Sequence, residues 1–143
     1  MSFLDNLYKE VILEHYKHPR NRGRLEPATV VREGLNPSCG DELELFLNVE
    51  KGVITDVKFT GEGCAISQSS TSMMTEAIKG KRVEEALGLS EKFKAMIHGE
   101  APADELGDLK TLQGVAKLHA RVKCATLGWV TLDEALRELR GQS

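Results

Sequence analysis

The chain of 143 residues has three cysteines, Cys39, Cys64 and Cys124, and no fourth with which to complete two pairs. They stand 25 and 60 positions apart and form no Cys-x-x-Cys motif, which argues against a disulfide framework and a redox dithiol. A run of eighteen apolar residues is missing, and so is a secretory apolar segment. Together these point to a soluble, cytoplasmic protein with no membrane partner, whose thiols are reduced. Excess positive charge is missing as well: the formal net charge of −3 argues against nucleic acid as a partner. Nothing is low-complexity, and 41% apolar with 29% charged residues describes a single folded domain over residues 1–143. The one basic run, Lys17-His18-Pro19-Arg20-Asn21-Arg22-Gly23-Arg24, reads as solvated surface or, functionally, as a protein-docking patch.

What is present is concentrated around the cysteines. Each sits in a short motif: Asn36-Pro37-Ser38-Cys39-Gly40-Asp41, Gly61-Glu62-Gly63-Cys64-Ala65-Ile66-Ser67 and Arg121-Val122-Lys123-Cys124-Ala125-Thr126-Leu127. Asp41 adds a carboxylate two residues after the first cysteine. Three sulfurs and one oxygen suit a tetrahedral metal with one weak ligand. The competing reading is three buried thiols acting as small core hydrophobes.

Periodicity predicts where these motifs lie. Ser2-Phe3-Leu4-Asp5 has the form of a capping box, and Leu4, Leu7, Tyr8, Val11, Ile12 and His15 follow at helical spacing, with Pro19 and Gly23 beyond the end. His15 and His18 read as packed or surface residues rather than ligands. Residues 43–49 and 53–59 alternate as two half-buried strands of a hairpin, with a third strand near 29–35. Face parity favours a three-residue loop, Glu50-Lys51-Gly52, pairing Leu43 with Phe59 and Leu45 with Val57. Extended, that register sets Cys39 opposite Gly63, so that Cys39 and Cys64 meet at the open end with Asp41 on the same face.

After Cys64 the pattern turns helical as far as Gly80, which places Cys64 at a helix N-terminus where the macrodipole favours thiolate. The polar run 67–72 reads equally as a site lining or a solvated face. Short helices are expected over 83–87, 90–97 and 109–115, with a loop over 99–107. From Leu118 a stripe through Val122, Ala125, Trp129, Leu132, Leu136 and Leu139 predicts a helix facing the core or an oligomer seam. Periodicity leaves open whether that helix crosses Cys124 or begins there.

Three functions fit such a constellation. A metal-held thiolate could be released to accept sulfur from a persulfide, with Cys39 the best candidate because it lies on the Pro37–Gly40 turn. The same donors could hold an iron–sulfur cluster loosely enough to hand it on. Or the metal could be structural zinc, a class that favours four Cys/His ligands at short spacing. A thiol protease fails for want of a histidine in any recognisable motif.

The three cysteine motifs resemble those of the SufU/IscU (NifU N-terminal-like) family of iron–sulfur assembly proteins. Similarity extends over Leu7–Asn21, Ser72–Gly80 and Leu112-Gln113-Gly114-Val115, almost the whole chain. Within that family the scaffold branch carries a histidine before its last cysteine and a Leu-Pro-Pro-Val-Lys motif upstream. Here Lys123 precedes Cys124, Lys117-Leu118-His119-Ala120-Arg121 stands where the motif would fall, and the stretch 99–118 is longer. All three features resemble the SufU branch. The resemblance implies an α+β fold, a small three-stranded antiparallel sheet packed against several helices with the metal site at the sheet edge. It implies zinc held by Cys39, Asp41, Cys64 and Cys124, with a transient iron–sulfur cluster or iron as the alternative cargo. It further implies a zinc-dependent sulfurtransferase activity. A pyridoxal-phosphate (PLP) cysteine desulfurase docks by the N-terminal helix and basic patch, exchanges a zinc ligand, and passes persulfide sulfur to Cys39. The product goes to downstream iron–sulfur assembly machinery. Arg121 corresponds to a basic residue near the site that could stabilise the thiolate or persulfide; His119 reads as ordinary surface.

Overall fold

The computed structural model describes residues 3–38 and 40–141, with the side chains of residues 3–8 excepted. The Ser2 capping box, the packing of Leu4, Leu7 and Tyr8, and Cys39 itself therefore lie outside the described residues. Helix α1 (Phe3–Lys17) is followed by strands β1 (Val30–Asn36), β2 (Asp41–Glu50) and β3 (Val53–Glu62). Helices α2 (Ala65–Ile78) and α3 (Val83–Ile97) come next. Two 3₁₀ segments, Asp104–Lys117 and His119–Arg121, then lead into helix α4 (Val122–Gly141). The sheet is antiparallel in the order β1-β2-β3.

The strands form where alternation is strongest, and their inner face, Leu43, Leu45, Leu47, Ile54, Val57 and Phe59, is buried. The hairpin differs from the expected one. Its loop is the two-residue Lys51-Gly52, with φ of 51° and 78°, the doubly positive conformation of a type I′ turn. Next to the turn Val49 pairs with Ile54; beyond it Asn48 pairs with Asp56, so Thr55 is an extra residue. That bulge shifts the register and puts Leu45 opposite Phe59 and Leu47 opposite Val57. Parity is preserved, but every pairing beyond the bulge moves by two residues from the prediction. Asp41 is consequently the residue brought beside Gly63, where an added Cβ would lie 2.6 Å from Asp41 Oδ1.

Helix α2 runs through the middle of the molecule, against α1, α4 and β3. Its polar run is buried from Ser67 to Thr75, which excludes the solvated-face reading. Small side chains let neighbours approach from all sides, and their hydroxyls donate to carbonyls: Ser70 Oγ to Ala125 O at 2.7 Å, Thr71 Oγ1 to Ser67 O at 2.9 Å and Thr75 Oγ1 to Ser72 O at 2.7 Å. Where α2 meets α4, a Cβ on Gly128 would lie 2.6 Å from Thr71 Oγ1. Trp129 is fully buried and stacks on Phe93 of α3 with ring centroids 4.9 Å apart. An ion pair between Lys94 and Asp133 ties the same two helices.

The two short helices expected over 83–97 are one helix, which continues through Gly88 because Ala86, Leu89, Ser90 and Phe93 bury a single stripe. Within the long stretch 99–118, Asp104–Lys117 folds as 3₁₀ turns kinked at Gly107 and buries Leu106, Leu109, Leu112 and Val115. Leu118, the first member of the predicted stripe, lies outside α4 and is 46% exposed. Among the described residues no helix is long and apolar enough to cross a membrane.

Candidate metal centre

Three elements end at one place. Asp41 opens β2, Cys64 is the N-cap of α2, and Cys124 lies in the first turn of α4. This also answers the open question about the last helix: it starts two residues before Cys124. The ligand atoms of Asp41, Cys64 and Cys124 all lie within 4.8 Å of one another. Two sulfurs on a tetrahedral zinc, each bonded at about 2.3 Å, stand about 3.8 Å apart, so this donor set fits such an ion. By sequence Cys39 belongs to the 37–40 connection between β1 and β2; it is outside the described residues.

Asp41 is 1% exposed and heavily hydrogen-bonded. Its Oδ1 accepts from the Cys64 backbone N–H at 3.0 Å and from Ser67 Oγ at 3.1 Å, while Oδ2 accepts from Asn36 Nδ2 at 3.1 Å. Burial pushes the carboxyl pKa up. The bonds from Cys64 N–H, the Cys124 thiol, Ser67 and Asn36 together outweigh it and hold the pKa below the usual aspartate value. The carboxylate is therefore kept charged inside the fold. Cys64 Sγ accepts from Ser67 N–H at 3.4 Å, the N-cap bond of α2. Cys124 is fully buried, and Asn36 Nδ2 lies 3.7 Å from its Sγ.

Asn36 and Ser67 occur within the quoted motifs but carry no signal of their role there. The cross-strand pair Asn36↔Asp41, closing the 37–40 connection, reveals Asn36 once β1 and β2 are recognised as neighbours.

Arg121 is exposed, three residues before Cys124, in the 3₁₀ segment His119–Arg121; His119 is exposed in the same segment. His15 is buried away from the metal group, with Nδ1 2.7 Å from Ser72 Oγ, and burial followed by the nearby Arg20 charge lowers its pKa below 6.5. The arginines of the basic run are engaged internally. Arg20 pairs with Glu14 at 3.1 Å, and Arg24 pairs with Glu44 at 3.0 Å while covering the Phe46 ring. Arg22 donates to Gly61 O at 2.6 Å and Gln68 Oε1 at 2.9 Å, bracing the chain on both sides of Cys64.

The family model described as the NifU-like N terminal domain matches residues 7–141. The zinc-dependent sulfurtransferase SufU of Bacillus subtilis is 48% identical, with 99% of each chain covered. The iron–sulfur cluster assembly scaffold protein IscU of Thermotoga maritima is 46% identical, over 93% of this chain and 94% of its own. A solved structure of a putative iron–sulfur cluster assembly scaffold protein for the SUF system, from Fervidobacterium islandicum, is 41% identical with a TM-score of 0.87, covering 92% of this chain and 97% of its own. The N-terminal part of a nitrogen-fixing NifU-like protein from Brucella abortus, 24% identical, shares the fold with a TM-score of 0.89 over 99% and 100% of the two chains.

Proposed function

Because the chain belongs to the NifU-like N-terminal domain family, we propose that it is an iron–sulfur cluster assembly protein that accepts sulfur at Cys39, beside a zinc ion held by Cys39, Asp41, Cys64 and Cys124. The observation that carries this reading is the convergence of one charged carboxylate and two cysteines, from three different elements, with no histidine in the group among the described residues. Zinc, when bound, would keep its cysteine ligands as thiolates near neutral pH. The donor is a cysteine persulfide on a PLP-dependent cysteine desulfurase. The Cys39 thiolate attacks the outer sulfur of that persulfide. A bond forms between Cys39 Sγ and that sulfur, the donor's S–S bond breaks, and the donor cysteine departs as a thiolate. Electrons balance without an added oxidant. Arg121 supplies positive charge beside the start of α4 for the resulting persulfide, which then passes to downstream assembly machinery in the cytoplasm.

A scaffold role, suggested by the likeness to IscU, is the second reading. Lys123, exposed in the first turn of α4, weighs against it, since the scaffold branch carries histidine there. The test is to incubate the zinc-loaded protein with a cysteine desulfurase and cysteine, and to map persulfide by mass spectrometry. Sulfur is expected on Cys39 and absent from Cys39→Ser. Equal sulfur loading of that variant would remove Cys39 from its role.

A further inference from the structure

Asn36 and Ser67 touch the metal group without belonging to it, and each touches two of its members. Asn36 is 5% exposed, and its Nδ2 lies 3.1 Å from Asp41 Oδ2 and 3.7 Å from Cys124 Sγ. Both neighbours are acceptors, so the amide nitrogen, with its two hydrogens, must be the end that faces them. Ser67 is 2% exposed; its Oγ lies 3.1 Å from Asp41 Oδ1 and its N–H donates to Cys64 Sγ at 3.4 Å. The hydroxyl also lies 3.0 Å from Cys64 O, but the charged carboxylate is the stronger acceptor. Asp41 is thus tied to Cys124 through one residue and to Cys64 through the other.

The lone pairs fix which oxygen is left for a metal. Oδ1 already accepts two hydrogen bonds, from Cys64 N–H and Ser67 Oγ, and Oδ2 accepts one from Asn36; the further bond from the Cys124 thiol is given up when that cysteine binds a metal as thiolate. A carboxylate oxygen has about two acceptor sites, so Oδ2 alone keeps one open. Asp41 is a one-oxygen ligand through Oδ2, and Asn36 sets the direction of the remaining lone pair.

From this geometry we infer that Asn36 and Ser67 are positioning residues that lock Asp41, Cys64 and Cys124 into one rigid three-donor unit. The inference deepens the proposed function and rests on it for the ligand roles of Asp41, Cys64 and Cys124; the strut roles themselves concern metal retention alone.

The experiment measures zinc affinity by chelator competition and the absorption of the cobalt(II)-substituted protein, in full-length wild type and in a Cys39→Ser background that isolates the three donors. Asn36→Leu keeps similar bulk without hydrogen donors, charge or ligand atoms. Ser67→Ala removes the hydroxyl, and Ser67→Thr restores it. In the Cys39→Ser background, Asn36→Leu and Ser67→Ala are expected to weaken zinc binding about 10–100-fold, the usual loss when a ligand's hydrogen-bond partner is removed. The cobalt ligand-field bands should shift as the carboxylate loses its fixed direction, and Ser67→Thr should recover both readouts. Should Asn36→Leu not fold, the Ser67→Ala and Ser67→Thr pair carries the test. Wild-type zinc affinity and an unchanged cobalt spectrum in Ser67→Ala would overturn the assignment. Because no desulfurase is present, failure here leaves the sulfur-acceptor reading standing, and failure of sulfur transfer leaves this result standing.

Discussion

Gly63 shows how little space surrounds the charged carboxylate at the centre of the site. A Cβ on this residue would run into Ser67 Oγ and stand 2.6 Å from Asp41 Oδ1, the two atoms whose hydrogen bond fixes the carboxylate. Its backbone needs no left-handed conformation, so steric contact, not strain, is the reason for glycine here. Gly63→Ala should therefore push Ser67 from Asp41 and weaken zinc binding by about tenfold or more, while the protein stays folded. Chelator competition with a parallel thermal melt checks this; an unchanged affinity would mean the pair adjusts freely. At this scale the sequence was partly legible. Asp41, Cys64 and Cys124 announce themselves by residue type, since three thiols and a nearby carboxylate have few other common uses. Asn36 and Ser67 do not, because an amide and a hydroxyl acquire meaning only from what stands opposite them after folding.

Between elements, the crossing of α2 and α4 determines where Cys64 and Cys124 sit relative to each other. The two helices close on each other at Gly128 and Thr71, with a built Cβ 2.6 Å from Thr71 Oγ1 and 3.3 Å from its Cβ. Gly128→Ala is expected to cost about 1–3 kcal/mol of stability by overpacking. Adding Thr71→Ala should return part of that loss, so a double-mutant cycle by denaturant unfolding should give clear coupling. Simple additivity would place the contact elsewhere. The heptad-like stripe foretold that α4 packs one face against its neighbours. The hairpin was harder to read, because two devices satisfy the same face parity. A three-residue loop does so directly, and a two-residue turn does so with a bulge at Thr55. Helix α3 was expected as two short helices; Gly88 between them costs roughly 1 kcal/mol relative to alanine in a helix, and burial on both sides of it outweighs that preference.

On the scale of the whole molecule, the metal group lies where one end of the sheet meets the starts of two helices, each contributing one donor far apart in sequence. Such a site cannot be assembled from local structure, so metal binding and the tertiary fold should be coupled. The α+β architecture and the three-stranded antiparallel sheet were foreseeable from alternation and the family resemblance. What was not foreseeable was that the basic run would spend its arginines on internal bonds, with Arg22 bracing the Cys64 turn. Sulfur acceptance is checked by the turnover of a cysteine desulfurase under reducing conditions, with and without the zinc-loaded, iron-free protein. Strong stimulation is expected, and its loss in Cys39→Ser. No stimulation, with activity emerging only as cluster transfer after iron is supplied, would contradict sulfur acceptance.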